Sequence, residues 1–298
     1  VAACGLLPQA ASAAADPPPN IVFVLADDLG WAELGCYGNR FNETPNLDRM
    51  ARQGMRFTQA YAAAPVCSPY RVGLIAGQWP ARVGITDYLR PSDPKHLAPE
   101  LVTVAETLKR AGYASAGAVE VSPAKQGFDE VMVSEDRGIG GGSYFHPYHF
   151  NPQIKARLPD EHLVDRMNLE AVEFIQRHKQ EPFFLYVSHY AVHTRMVGRP
   201  DLVAKYENKP GAGRGSNAPR NNPHLAAQLE LIDAGVGQIL DKLAALELDR
   251  RTLVIFTSDN GGEGRVTSNA PLRGAKSMLY EGGIREPLVV RFPGVVPE

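Results

Sequence analysis

Ile21-Val22-Phe23-Val24-Leu25-Ala26 is an unbroken apolar run rich in β-branched side chains. Asp16-Pro17-Pro18-Pro19 precedes it and Asp27-Asp28-Leu29-Gly30 follows it. A strand with one wet face alternates polar and apolar residues, so a continuous run predicts a strand buried on both faces. Phe183-Phe184-Leu185-Tyr186-Val187, Leu253-Val254-Ile255-Phe256-Thr257 and Leu288-Val289-Val290 have the same character. Helical spacings separate them. Thr44-Pro45 opens a helix to about Gly54, with proline at its first position. Leu101 to Ala111 forms a second, stopped by Gly112, and Asp160 is the expected cap of a third that reaches about Lys179. Asn222-Pro223 opens a fourth, in which Leu225, Leu229, Ile232, Val236, Ile239 and Leu243 recur at intervals of three and four. This alternation predicts an α/β fold, a parallel sheet flanked by helices on both faces. Segments 134–158 and 207–223 read as long loops, which in compact domains are often functional.

The 298 residues suit one large domain or two small ones. The net charge of −2, from 31 basic and 33 acidic residues, and the lack of a basic stripe interleaved with aromatics argue against a nucleic-acid partner. No stretch of 18 apolar residues predicts a membrane span. Residues 1–19 read as a leader and linker, distinct from a catalytic unit over 20–298. Ala11-Ser12-Ala13 fits a signal cleavage site, Val1-Ala2-Ala3-Cys4-Gly5 resembles a lipoprotein box that would place a lipid on Cys4, and a disordered tail is the third reading. Both signals predict export, to a periplasm or beyond the cell. Cys36 and Cys67 alone are too few for a disulfide framework, and a bridge between them, which would block Cys67, is not expected.

Ligands of open α/β sheets bind beyond the carboxyl ends of the strands. The first run ends in Asp27-Asp28, adjacent carboxylates that repel unless a cation neutralises them, or else a solvated turn. The run at 253–257 leads into Ser258-Asp259-Asn260-Gly261-Gly262, which offers two hard oxygen ligands or an ordinary Asn-Gly turn. The run at 183–187 leads to His189, Tyr190 and His193, either neutral-pH acids or satisfied loop histidines. Lys276 alone would read as a solvated loop lysine. Cys67-Ser68-Pro69-Tyr70-Arg71 alone would read as a buried cysteine before a short helix.

Together these segments resemble the type I sulfatases of the alkaline phosphatase-like superfamily. Cys67, Pro69 and Arg71, followed by Val72-Gly73-Leu74-Ile75-Ala76-Gly77, match the family signature. The likeness runs from Asn20 to Pro297 and includes Tyr190-Ala191-Val192-His193-Thr194, Thr257 to Gly262, and Tyr280-Glu281-Gly282-Gly283-Ile284-Arg285-Glu286-Pro287. It implies a largely parallel, mixed sheet sandwiched by helices, and a sulfuric ester hydrolase. A formylglycine-generating or sulfatase-maturating enzyme would oxidise Cys67 to formylglycine (3-oxoalanine), whose hydrate is the nucleophile. Asp27, Asp28, Asp259 and Asn260, with residue 67, would hold one divalent cation. An all-oxygen set suits calcium, the family habit, or magnesium. By the same resemblance Arg71 holds the nucleophile, Asp259 takes its proton, Lys276 binds sulfate and His193 faces the leaving oxygen. The implied substrates are sulfated small molecules or glycans. Hydrolysis of phosphodiesters or phosphonate monoesters, or glycan binding without turnover, are the alternatives.

Two departures from the family pattern stand out. Tyr70 replaces the usual serine of the signature. After Leu108-Lys109-Arg110-Ala111-Gly112-Tyr113 the family's Gly-Lys-Trp-His-Leu-Gly segment gives way to Ala116-Gly117-Ala118-Val119-Glu120-Val121, and no role passes to Lys125 or His146. The chain ends at Glu298, before the small C-terminal subdomain of the family, and on this reading is truncated.

Overall fold

A computed structural model describes residues 17–90, 93, 95–117, 126–131, 144–148, 155–157 and 159–297. In chain order the elements are β1 (Asn20–Ala26), α1 (Pro45–Arg52), β2 (Met55–Tyr61), α2 (Cys67–Ala76), α3 (Pro80–Val83), α4 (Val104–Arg110) and β3 (Ala114–Gly117). They continue as α5 (Leu163–Arg177), β4 (Phe183–Ser188), α6 (Pro200–Glu207), α7 (Pro223–Ala245), β5 (Thr252–Ser258), α8 (Glu281–Ile284) and β6 (Arg285–Arg291). The strands form one sheet in the order β2-β6-β5-β1-β4-β3. β1 is parallel to both neighbours, β4 and β5, which accounts for its continuous apolar run. β6 is antiparallel to β5 and β2, so the sheet is mixed, as the resemblance implies.

Two strands had no clear sequence signal. β2 (Met-Arg-Phe-Thr-Gln-Ala-Tyr) is an edge strand that is mostly exposed, so it lacks the apolar run of a central strand. β3 is four small residues at the opposite edge, with little intrinsic strand preference.

Helix ends differ from expectation for reasons of capping. α4 begins at Val104 because Thr103 and Glu106 close a capping box: Thr103 Oγ1 accepts from the Glu106 N–H at 3.1 Å, and Glu106 Oε2 accepts from the Thr103 N–H at 2.9 Å. Asp160 does not cap α5. It sits at φ 49°, and His162 takes the role, its Nδ1 accepting from the Val164 N–H at 3.2 Å. α7 starts as expected, the Asn222 side chain accepting from the N–H groups of His224 and Leu225. α6 was not foreseen.

Helices α1, α5 and α7 pack on one face of the sheet, around Val22, Val24, Met167, Leu229 and Val236. Ile75 of α2 and Ala105 of α4 pack on the other, with Leu25, Tyr113, Phe128 and Phe184. Phe256 in β5 is fully buried, and its truncation to alanine would cost about 3–5 kcal/mol. Among the described residues no helix is long and apolar enough to cross a membrane. Cys4, the candidate lipid site, lies outside the described residues, as do Lys125 and the segment 118–125. Among the described residues Cys36 and Cys67 are not joined by a disulfide.

Candidate active site

Strand register brings the polar ends together. Ala26 of β1 pairs with Ser258 of β5, and Leu25 pairs with Ser188 of β4. The residues that follow therefore emerge side by side from the carboxyl edge of the sheet. Asp27, Asp28, Asp259 and Asn260 are all buried. Asp28 adopts φ 59°, a left-handed conformation that a short polar side chain tolerates best. Three contacts hold it there. Its N–H donates to Asp259 Oδ1 at 3.1 Å, its Oδ1 accepts from Asn260 Nδ2 at 2.7 Å, and its Oδ2 accepts from Lys276 Nζ at 2.7 Å.

Arg71, one turn into α2, projects into the carboxylates. Its Nη2 lies 3.0 Å from Asp27 Oδ2 and 2.9 Å from Asp259 Oδ2, and its Nη1 donates to Ser188 Oγ at 2.7 Å. Cys67 is the first residue of the same helix, so its sulfur stands at the positive end of a ten-residue dipole. The Lys276 loop is tied to the segment before Cys67 by the Ser277 N–H, which donates to Pro65 O at 2.8 Å. His193 is the most open member of the group, with Nε2 3.6 Å from Asp28 Oδ2 and Nδ1 against the carbonyl of Thr194. Gly261 is required by close approach: a Cβ there would lie 1.9 Å from Gly282 O. The Asn-Gly-Gly and Glu-Gly-Gly segments can meet only because neither carries side chains at the contact.

The electrostatics are unbalanced. Burial pushes the carboxyl of Asp27 well above its ordinary range, and Asp259 adds to this, against the opposing pull of Arg71. Asp259 is raised for the same first reason, burial, with Arg71 again opposing. Burial works against the Lys276 ammonium, but Asp28, Asp27 and Cys67 outweigh it and hold its pKa above the usual lysine value. Glu286 is also buried and raised by burial, with Asp259 and Asp28 contributing. Four carboxyl groups thus face two permanent cations. Asp27 Oδ1 and Asn260 Oδ1 are buried and accept no hydrogen bond from the described residues. Ligand atoms of Asp27, Asp28 and His193 lie within 4.8 Å of one another. Excess negative charge and open hard oxygens fit a divalent cation of the calcium or magnesium type.

Two partners of the site were missed. Ser188 ends an apolar run just as Asp27 does, and that position was its signal. Glu286 is a charged residue directly before the apolar run of β6, and continuing the β5–β6 register places it opposite Asp259. Tyr70 packs against the cluster that holds Leu25, Ile75 and Tyr186, so the residue that departs from the signature adds to the core. His189 does not join the cluster. It is fully buried, and burial followed by the nearby His162 lowers its pKa to about 3, which keeps it neutral. His146 is exposed, edge-on to Tyr148.

Comparison with known proteins converges on one family. A family model described as Sulfatase matches residues 19–298. An N-acetylgalactosamine-6-sulfatase from Canis lupus familiaris is 34% identical over 96% of this chain and 59% of its own length. A sulfatase from Formosa agariphila is 31% identical over 95% of this chain and 65% of its own. The chain spans less than two thirds of the length of these curated relatives. Among solved structures, Ps i-CgsB in complex with k-i-k-neocarrahexaose superposes with a TM-score of 0.82 at 28% identity, covering 94% of this chain and 67% of that one.

Proposed function

The chain belongs to the sulfatase family, and on that premise we propose that it hydrolyses sulfate esters of carbohydrates, with residue 67 as the nucleophile. The observation that carries the reading is the fork of Arg71 across Asp27 and Asp259, one helical turn from Cys67 at the N-terminus of α2. Oxidised to formylglycine by a maturating enzyme, residue 67 would supply an aldehyde hydrate, one hydroxyl attacking sulfur and the other expelling sulfate. Asp27, Asp28, Asp259 and Asn260 would hold a divalent cation, calcium or magnesium, which when bound supplies Lewis-acid polarisation of a sulfate oxygen.

The chain's own residues do the rest. Arg71 fixes the nucleophile by charge-assisted donation, while Asp27, Asp259 and Ser188 fix Arg71. Asp259, its carboxyl raised by burial, is suited to take the proton from the attacking hydroxyl. Lys276 stays charged and presents an ammonium to sulfate oxygens. His193, partly open and beside Asp28, is placed to protonate the leaving alcohol.

Carbohydrate sulfates are favoured because the dog relative is named for a sulfated sugar and Ps i-CgsB was solved with a neocarrahexaose. The test is sulfate release from sulfated oligosaccharides, run beside an aryl phosphodiester. Faster turnover of the phosphodiester would contradict the proposal. Residues 1–19 further support export, to be checked with a reporter fused to them; retention of the reporter in the cytosol would argue against it.

A further inference from the structure

A second concave site lies on the same edge of the sheet. Its volume is about 810 Å³, and its walls are the loop after β1, the 208–222 loop and the turn at 267–271. That volume falls in the range of about 300–1,000 Å³ typical of small-molecule sites. Trp31, Arg40, Asn42, Lys209, Arg220 and Ser268 are among its lining.

The walls are pinned to one another. Asn222 Nδ2 donates to Ser216 O, Ala218 O and Val266 O at 2.9, 3.2 and 3.3 Å, which joins the 208–222 loop to the segment beyond β5. Glu33, buried in the floor, accepts from Asn42 Nδ2 and from the Thr267 hydroxyl, joining the loop after β1 to that same segment. The cleft is therefore built before any ligand arrives.

Its charge is cationic. Lys209 is already engaged by Glu43 at 2.9 Å. Arg40 and Arg220 are exposed and have no carboxylate partner among the described residues. Many other surface cations are paired, as in Lys109–Asp129, Arg177–Glu130 and Arg199–Asp201. Two free guanidiniums beside side-chain amides and a hydroxyl suit a ligand that carries both oxyanions and sugar hydroxyls. The cleft is also near the reacting centre. Trp31 follows Asp28 by three residues, a span of at most about 11 Å.

We propose that this cleft binds a second, sulfate-bearing sugar of the same glycan whose neighbouring unit occupies the Cys67 site. The proposal rests on the sulfatase reading for its substrate but on the cleft alone for its binding. The variant is Arg40→Gln with Arg220→Gln, two exposed residues outside the catalytic cluster. With a sulfated neocarrahexaose the expected loss in kcat/KM is about tenfold, accompanied by a weaker dependence on salt. With 4-nitrophenyl sulfate no change is expected. Equal losses on both substrates, or none on the hexasaccharide, would overturn it. If the parent protein hydrolyses neither, calorimetric titration with the same hexasaccharide still decides. Loss of binding in the double variant upholds the cleft while the hydrolase reading fails. Unchanged binding, or equally tight binding of an oligonucleotide of the same charge, overturns the carbohydrate site.

Discussion

Arg71 donates twice to Asp259, through Nε at 3.1 Å and Nη2 at 2.9 Å, and both bonds fall on the single oxygen Oδ2. The other oxygen, Oδ1, takes the backbone N–H of Asp28. Asp259 thus links the signature helix to both acidic strand ends. A lysine could supply the charge but not the fork.

Removing that link should damage both fold and chemistry. Arg71→Gln leaves Asp27 and Asp259 buried without their cation, and the expected loss of stability is about 3–5 kcal/mol. Denaturant unfolding measures it. Arg71→Lys should keep more of the stability than Arg71→Gln yet lose at least about a hundredfold in kcat, because positioning of the nucleophile needs the planar donor pair.

Cation binding should be visible without any turnover. Calcium or magnesium bound only by the folded chain raises the melting temperature in proportion to the logarithm of its concentration. Asp27→Asn, which removes one of the crowded charges, should abolish most of that rise and leave the ion-free protein as stable or more so. A melting temperature that ignores both ions, in parent and variant, would count against the cation site.

Stability should fall on acidification in part through His162, beside the contribution of the equally buried His189. The Nδ1 of His162 must be unprotonated to accept from Val164, while Nε2 donates to Val197 O at 2.9 Å. Burial first, then Arg199, lower its pKa from 6.5 to about 4, with the Val197 carbonyl opposing. The depressed value means that the contribution is complete above pH 6.5 and is lost as pH falls towards 4. The full effect is about 3 kcal/mol. His162→Asn can still cap α5 but cannot titrate, so its stability should be flatter across this window than that of the parent.

Lys276→Gln should lower kcat by about 10²–10³ if the ammonium stabilises charge developing on sulfate oxygens. The departure after Tyr113 adds a kinetic expectation for the parent itself. With the family's lysine and histidine segment replaced there, attack should outrun sulfate release. A rapid burst of alcohol equal to the enzyme, then slow steady turnover, is the expected progress curve. Fast linear release from the first turnover would refute it.

The site was legible where chemistry followed directly on an apolar run. Asp27, Asp28, Asp259 and Asn260 stand at the ends of β1 and β5, and parallel pairing at Ala26 and Ser258 brings them together. Ser188 obeys the same rule but was passed over because a serine ending a strand has many ordinary uses. Glu286 was read only as part of a signature, since its burial beside Asp259 depends on an antiparallel register that no local pattern encodes. β2 escaped notice because an exposed edge carries no hydrophobic period, and α5 was given the wrong cap because His162 acts through a neutral imidazole. The cationic cleft drew one residue group from each of three distant loops, so only its 207–223 wall had drawn attention in the sequence.

The central claim is that residue 67 acts as formylglycine and not as a thiol. Mass spectrometry of the peptide containing residue 67, after co-expression with a formylglycine-generating enzyme, tests it most directly. The account predicts the aldehyde at position 67 and sulfate-releasing activity that tracks its fraction. An intact Cys67 thiol in protein that releases sulfate just as fast would contradict it.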